Sequence, residues 1–435
     1  MKKLLTLLLT ATLAVACCFG FTACGETADI KTVDIPEYDY MYSDVEIPSD
    51  YKVGFIFLHD EKSTYDLNFL EAAKEAKLAL GLSDSQVIYK FNIEEGQACY
   101  DAAKDLVDQG CKAVFADSFG HESFMLKAAK DFPAVNFFHA TGTTAHTENV
   151  SNFHNAFADI YQGRYLAGIA AGMKLNEMIK NKTKINGTVV TAENALIGYV
   201  GAYTYAEVIS GYTSFYLGAK SVCPTVKMKV QFTGSWYDEV AEKAAAEALI
   251  SKGCNLISQH ADSMGAPSAC EAKGVPNVSY NGSTISKCPN TFIISSRIDW
   301  SVYFKAMIAS TAGSEEFEIP TDVSVPMQAG AVKLTALNAS VMAEGTVEAI
   351  YQARNKMFNG ELFVFDCANF TVNGEHLTSY KADVDTDPNF EKDTDVIKTA
   401  TVNGQTITYF AESVFRSAPY FDIQIDGVEL LNSKF

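Results

Sequence analysis

The stretch from Thr233 to Pro267 constrains the fold of this chain more than any other. It is built from a strand pattern, a helical pattern and a second strand pattern, over 226–232, 239–252 and 255–258. The first strand leads into the turn G-S-W-Y-D and the second into Q-H-A-D, which predicts a βαβ unit with Trp236 and Asp262 after the carboxyl ends of neighbouring parallel strands. Ligands of open α/β sheets bind at those ends. An aromatic ring beside a carboxylate there suits a flat heterocycle with hydrogen-bond donors.

The same alternation of short apolar runs and helical patterns extends over most of the chain. The run V-G-F-I-F-L from Val53 to Leu58 is continuous, as expected for a parallel strand that is buried on both faces. The repeats predict an α/β fold with two lobes, each a parallel sheet with flanking helices. The first lobe is predicted to comprise 51–157 and 299–365, and the second 158–298.

Three segments are predicted to cross between the lobes, namely the start of a long helix at Asp159, the end of a strand at 291–298 and the segment 327–332. Three crossings form a hinge, so the cleft between the lobes is expected to close on a ligand. The long helix carries Gly163, Gly168 and Gly172, a stripe of small residues that predicts close helix packing rather than high helix propensity.

The two ends of the chain do not follow this pattern. Residues 1–23 combine Lys2 and Lys3 with a short apolar run, which predicts a secretory signal too short to span a membrane. The signal ends in F-T-A-C, which resembles a bacterial lipobox and so implies cleavage before Cys24 and lipidation of its thiol, with Cys17 and an ordinary signal cleavage as alternatives. An acidic linker is predicted over 24–50, and a β-rich appendage with two Asn-Gly turns over 366–435.

Composition and charge exclude several classes of protein. The chain has 435 residues, of which 48% are hydrophobic, so it can bury the cores of two domains. Its formal charge of −19 becomes about −21 when removal of the signal takes away Lys2 and Lys3. This acidity disfavours nucleic acids, anionic membrane surfaces and phosphorylated ligands.

Seven cysteines follow Cys24, and none has the spacing of a zinc site. We expect no metal or other cofactor, at least one free thiol, and a pairing of Cys270 with Cys288 as one option. The chain lacks a G-x-S-x-G elbow, an H-E-x-x-H motif, a P-loop and a G-x-G-x-x-G turn, and the neighbouring Asp60 and Glu61 point apart on an extended turn. These features argue against an enzyme.

Several motifs resemble those of one family. The lipobox, the two-lobed pattern and the segments Y-Q-G-R-Y-L-A-G-I-A-A-G, G-S-W-Y-D and Q-H-A-D-S are together similar to the basic membrane protein (Bmp, PnrA-like) family over residues 51–365. The resemblance implies the type I periplasmic-binding-protein fold and a lipoprotein that supplies substrate to an ABC permease and its ATPase. It also implies a purine nucleobase or nucleoside as the ligand, and we expect the chain to act as a monomer.

Eight residues are predicted to bind the ligand. The resemblance implies that Trp236 stacks on the ligand and that Asp262 accepts its hydrogen bonds. The family's first-lobe tryptophan is missing from the turn at 59–63, so Tyr65 is expected to take its place. The remaining predicted site residues follow or precede strand ends: Asn68, Ser118, Phe119, Asn281 and Trp300.

Each assignment has a structural alternative. Asp262 could cap the next helix, Tyr65 and Asn68 lie among the capping residues of a helix predicted over 69–80, and Phe119 and Trp300 could pack between lobes or at the hinge. His59, His139 and His260 follow strands and are interpreted as hydrogen-bonding structural residues. A receptor for sugars or other solutes and a sensory surface lipoprotein of the same fold remain open as functions.

Overall fold

The computed structural model describes residues 30–34, 45–313, 319–387, 389 and 391–434. The strands of three or more residues are Val53–Ile56 (β1), Val87–Lys90 (β2), Ala113–Ala116 (β3), Asn136–Ala140 (β4), Phe153–Ala158 (β5), Leu196–Gly201 (β6), Lys227–Phe232 (β7), Leu256–Gln259 (β8), Asn277–Tyr280 (β9), Phe292–Ile298 (β10), Asp322–Val325 (β11), Val332–Leu334 (β12), Ile397–Val402 (β13), Gln405–Phe410 (β14) and Val428–Leu430 (β15). The α-helices are Thr64–Ala79 (α1), Gln97–Asp108 (α2), Glu122–Asp131 (α3), Ala145–Glu148 (α4), Ile160–Lys180 (α5), Ala206–Val222 (α6), Glu239–Ser251 (α7), Gly265–Lys273 (α8), Ser301–Thr311 (α9) and Thr346–Phe358 (α10).

The first lobe is built on a six-stranded parallel sheet with the order β11-β5-β4-β3-β1-β2. Strand β1 is buried along its whole length, because Phe55 faces α1 and α9 while Ile56 faces the opposite core beneath α2 and α3. Continuous apolar runs are therefore required in these strands, as the sequence indicated.

The second lobe is built on a seven-stranded sheet with the order β12-β10-β9-β8-β6-β7-β15, in which only β12 is antiparallel to its neighbour. Helices α5 and α6 cover one face, and α7 and α8 cover the other. The prediction that the strands before Trp236 and Asp262 are neighbours is wrong, because β6 lies between β7 and β8. Sheet order follows from packing of all the crossover helices and is not encoded in one βαβ segment.

Three segments join the lobes, and they run side by side. Asp159 donates its backbone N–H to Val325 O at 3.1 Å, and Asp299 donates its own to Ala331 O at 2.7 Å. The first segment leads from β5 into α5, the second from β10 into α9, and the third from β11 into β12. The predicted two-lobed α/β fold with a three-crossing hinge is confirmed.

The assignment of all of 299–365 to the first lobe is wrong in its second half. After the third crossing, β12 pairs with β10 in the sheet of the second lobe, and α10 packs against α5. The chain thus remains on the second lobe from Val332 through α10, since an antiparallel strand needs no return crossover.

The small residues on α5 have the predicted packing role. A Cβ atom at Gly168 would lie 2.0 Å from the backbone oxygen of Phe215 on α6, and one at Gly172 would lie 2.5 Å from that of Ala219. The two helices therefore pack backbone to backbone. At Gly163 a Cβ would lie 2.7 Å from Val332, where the third crossing enters the second lobe.

The C-terminal segment forms part of the fold rather than a separate appendage. A hairpin of β13 and β14 does turn at Asn403 and Gly404, which have φ values of 49° and 80°. Strand β15, however, extends the second sheet in parallel with β7, and the Asn432 side chain forms hydrogen bonds of 2.8 and 2.9 Å with the Phe232 backbone. The prediction of an appendage over 366–435 is corrected accordingly, because local turns do not reveal where a distant strand pairs.

Two further expectations are also corrected. Within the predicted linker, Thr32–Val33 pairs with Leu337–Asn338 as a short antiparallel bridge, and the Val33 side chain packs against the core. Cys270 and Cys288 are both buried and free, so the suggested bridge between them is not formed. Cys24 and Cys17 lie outside the described residues, among which no helix has the length and apolarity to cross a bilayer.

Candidate functional site

A narrow cavity lies between the lobes where the carboxyl ends of both sheets face each other. The first lobe contributes seven of its lining residues: Leu58, His59, Tyr65, Asp66, Ser118, Phe119 and Thr141. The second lobe contributes five: Glu207, Trp236, His260, Asp262 and Tyr280. A larger surface groove lies at the outer edge of the first sheet, against residues 413–417. We assign the site to the inter-lobe cavity because the strand ends converge there.

Aromatic rings form one wall of this inter-lobe cavity. The Trp236 ring lies 5.0 Å from that of Tyr203 at an interplanar angle of 66°, and 6.0 Å from that of Tyr205 at 50°. Neither neighbour is parallel to the indole, so neither stacks on its flat face. Across the cleft, the Phe119 ring lies 5.2 Å from that of Tyr205 and is 36% exposed. A planar ligand that enters here would contact rings from both lobes.

Asp262 is fixed by its own backbone. Its N–H donates to Trp236 O at 2.9 Å, which ties the two strand-end turns together across the intervening β6. Its carbonyl oxygen accepts from both the backbone N–H and the hydroxyl of Thr64, at 3.1 and 3.0 Å. Thr64 belongs to the first lobe, so these bonds join the lobes directly at the cavity.

The Asp262 side chain is buried and accepts one hydrogen bond of 3.3 Å, from Asn281. Burial, reinforced by the negative charges of Glu242 and Asp66, raises the pKa of Asp262 well above its usual range. A protonated carboxyl group both donates and accepts, whereas a carboxylate only accepts. Asp262 can therefore serve a ligand edge of either polarity.

The first-lobe wall is set by the start of α1. Ser63 caps this helix and accepts the Asp66 N–H at 3.2 Å, so the helix begins at Thr64 rather than at the predicted residue 69. Burial opposes ionisation of Asp66, but hydrogen bonds from His59 and Ser63 outweigh it and lower the pKa of this carboxyl. The Tyr65 hydroxyl donates to Asp117 O at 2.7 Å, which fixes the ring at the cavity wall.

Five of the eight residues predicted to bind the ligand line the cavity together: Tyr65, Ser118, Phe119, Trp236 and Asp262. The structure does not bring the other three there. Asn68 donates to Ile298 O of the hinge at 2.7 Å. Asn281 stands behind Asp262 as its hydrogen-bond donor, so it positions the carboxyl rather than lining the cavity.

Trp300 has a packing role, which was the alternative considered for it. It is 2% exposed, and its ring stacks on Phe69 at 4.5 Å and 23° within the core of the first lobe. The first turn after the crossing strand points into that core rather than into the cleft.

Of the three histidines, His139 bonds to Ser118 O at 2.7 Å behind the wall, whereas His59 and His260 line the cavity.

Sequence reasoning missed Glu207 and the aromatic pair Tyr203 and Tyr205. All three follow β6, whose carboxyl end opens at the same edge as those of β7 and β8. The strand-end rule that singled out Trp236 and Asp262 would have found them had it been applied to this strand.

Comparison with known proteins assigns the family. The model of the family described as "ABC transporter substrate-binding protein PnrA-like" matches residues 58–366. The chain belongs to the Bmp family. Members of this family are extracytoplasmic substrate-binding proteins of ABC transporters rather than enzymes, so the partners of this Bmp protein are a small-molecule ligand, a permease and its ATPase.

Individual relatives agree with this assignment. A purine-binding protein from Brucella abortus is 30% identical over 336 residues, which cover 74% of this chain and 87% of the relative. TsgA13 of Haloferax volcanii, which carries the name of an ABC transporter glucose-binding protein, is 33% identical over 259 residues, 59% of this chain and 57% of the relative. A solute-binding protein structure from Conexibacter woesei superposes with a TM-score of 0.57 at 20% identity, over 72% of this chain and 98% of that one, and supports the fold.

Proposed function

We propose that this Bmp protein binds a purine nucleobase or nucleoside between its lobes while a lipid on Cys24 anchors it outside the membrane. The observation that carries the proposal is the arrangement of Trp236, Phe119 and Asp262 around one cavity. Two aromatic walls on opposite lobes suit a flat ring, and the carboxyl group between them suits its polar edge. The name of the Brucella abortus relative, a purine-binding protein, supports the same class of ligand.

The roles of the lining residues follow from their chemistry. Trp236 would stack on the heterocycle from the second lobe, with Phe119 and Tyr65 on the side of the first. Asp262 would bond to a ring nitrogen or to ribose hydroxyls, because its carboxyl is held by Asn281 and its backbone N–H is bonded to Trp236 O. Ser118 would supply a further polar contact.

The cavity disfavours phosphorylated ligands. Among the described residues, its lining includes Asp66, Glu207 and Asp262 but no lysine or arginine. A phosphate group placed beside these acids would be repelled without a compensating cation. Nucleobases and nucleosides are therefore preferred over nucleotides.

Binding requires the lobes to part, since Phe119 lies against Tyr205 and Thr64 is bonded to Asp262 across the cleft. The ligand would enter the opened form and replace ring–ring contact with ring–ligand contact on closure. The closed form would then be recognised by the permease. The cavity is completed by one chain, in agreement with a monomeric receptor.

A thermal-shift screen of the protein without residues 1–23 tests the proposal, with purine bases, nucleosides, nucleotides, pyrimidines and sugars as ligands. The protein is first unfolded and refolded to remove any co-purified ligand. A rise in Tm with purines is expected, because a ligand that binds only the folded state stabilises it by RT ln(1 + [L]/Kd). A rise with glucose or another sugar and none with any purine would refute purine binding and favour the function named for the Haloferax volcanii relative.

Lipidation is tested separately in cells with a clickable fatty acid. The Cys24→Ala variant should lose both the label and its membrane association, whereas Cys17→Ala should retain them. Labelling that is lost only in Cys17→Ala would move the anchor to that residue.

A further inference from the structure

Glu207 is an acidic residue of the cavity wall to which the function proposed above assigns no contact with the ligand. It lies in the first turn of α6, directly after the aromatic residues that follow β6, and its side chain is 13% exposed. The amino end of a helix stabilises an anion, so this position favours a carboxylate. The residue faces the same cavity as Trp236 and Asp262.

A buried arginine and a histidine hold the Glu207 side chain from behind. Arg164 on α5 is 1% exposed and donates from Nη1 to Gln259 O at 3.1 Å, while its guanidinium lies 3.5 Å over the Tyr280 ring. Its Nη2 lies 3.0 Å from His260 Nδ1. A guanidinium can only donate, so Nδ1 must be the unprotonated acceptor of this bond.

The tautomer of His260 follows from that bond. With Nδ1 accepting, the ring proton lies on Nε2, which faces Glu207 Oε1 at 3.4 Å in an electrostatic contact. Burial, with the neighbouring charge of Arg164, lowers the pKa of His260, in keeping with a neutral ring. Within the described part of the chain this contact reaches only Oε1 of the Glu207 carboxylate, so Oε2 and its lone pairs remain for a ligand.

We infer that Glu207 is a specificity-determining residue that accepts N–H groups of the ligand and selects a 6-oxopurine over adenine. The inference rests on the proposed purine function. A 6-oxopurine presents its ring N1–H to a carboxylate, and guanine adds an exocyclic N–H beside it. Adenine presents one amino group and a ring N1 lone pair, which a carboxylate cannot satisfy and which would be left facing negative charge.

Asp262 cannot make this distinction by itself, because a protonated carboxyl can match a donor or an acceptor. Glu207 can, since His260 presents its N–H to one oxygen and Arg164 supplies the balancing positive charge through the histidine. Arg164 and His260 therefore act as positioning residues that hold an acceptor-only group at the cavity wall.

The test is isothermal titration of hypoxanthine, guanine, adenine and their nucleosides into the refolded protein and its Glu207→Gln variant. The wild type should bind 6-oxopurines at least tenfold more tightly than adenine. Glu207→Gln should weaken 6-oxopurine binding by about ten- to a hundredfold, the loss typical of a charge-assisted hydrogen bond, and should change adenine binding much less. Glu239→Gln, which removes an equal charge from the exposed first residue of α7, is the matched control and should change neither affinity.

Glu207→Asp keeps the charge but shortens its reach, so an intermediate loss of 6-oxopurine binding is expected. The Tm of Glu207→Gln without ligand shows whether that variant folds. If it does not, Glu207→Asp provides the test in its place. If the wild type and the variants all bind purines with the same ratio of Kd for adenine to Kd for 6-oxopurines, that result would overturn the role of Glu207 and leave the proposed function intact. Failure of the wild type to bind any purine would overturn both.

Discussion

Replacement of Trp236 by alanine isolates the contribution of the aromatic wall. The indole has no parallel ring stacked on it, since its neighbours Tyr203 and Tyr205 are tilted by 66° and 50°. Its flat face is therefore the part of the wall that a heterocycle can cover. Stacking of a base on an aromatic side chain contributes about 1–3 kcal/mol, which corresponds to roughly a 5- to 150-fold change in Kd.

The same substitution also affects stability, because the half-buried indole packs against both hydrophobic cores of the second lobe. Truncation of a fully buried tryptophan to alanine lowers the unfolding free energy by about 3–5 kcal/mol. For the half-buried Trp236 we therefore expect a loss of about 2 kcal/mol. For a chain of this size we expect Tm to fall by several degrees. The protein would remain folded at 25 °C, where binding is measured.

The assay is titration calorimetry of Trp236→Ala and Trp236→Phe with the purine that binds the wild type best. The phenylalanine variant retains a flat ring and should lose much less affinity than the alanine variant, although both lose packing. An alanine variant that is folded and binds within twofold of the wild type would refute stacking on Trp236. If both variants lose the same affinity, the effect arises from lost packing of the indole rather than from stacking on the ligand.

Three further predictions concern the framework of the site. Burial raises the pKa of Glu242 to about 7, above its value of about 4.3 in an unfolded chain, so its stabilising contribution is full below pH 4 and is lost as pH rises through 7. Up to about 4 kcal/mol of unfolding free energy should disappear between about pH 4 and 7 in urea titrations. Glu242→Gln should flatten that part of the profile, and an unchanged slope would contradict the assignment. Gly168→Ala should destabilise the protein by more than about 3 kcal/mol in the same assay, because its Cβ would meet a backbone oxygen, whereas Gly163→Ala should cost less because its Cβ meets a movable side chain. Asn432→Ala should remove both hydrogen bonds to the Phe232 backbone and speed hydrogen exchange at the β7 edge; equal exchange in wild type and variant would show that β15 is held without them.

Local pattern was sufficient for the elements and for part of the site. Continuous apolar runs such as Val53–Ile56 predicted buried parallel strands, and the glycine stripe of α5 predicted the contact with α6. Trp236 and Asp262 could be placed at the cavity edge because a polar or aromatic turn after an apolar strand is visible in one sequence. The three crossings were likewise visible as breaks in the alternation.

Long-range pairing was not visible in the sequence. No local signal shows that β6 lies between β7 and β8, that β15 extends the second sheet, or that α10 packs on the second lobe, because strand order depends on which helices pack across each sheet. For the same reason Asn68 and Trp300 were placed in the cleft although their partners are the hinge and a core.

The sequence by itself indicated the fold class of this protein: the apolar and polar periods of its segments predict a two-lobed α/β fold with chemistry at the strand ends. The tertiary structure alone decided which strand-end residues meet. Arg164, His260 and Glu207 are far apart in sequence, and they form one chain of polar contacts because α5, β8 and α6 pack at one end of the same sheet. Periodicity specifies which face of each element is buried, but only the packing of those faces brings distant side chains within bonding distance.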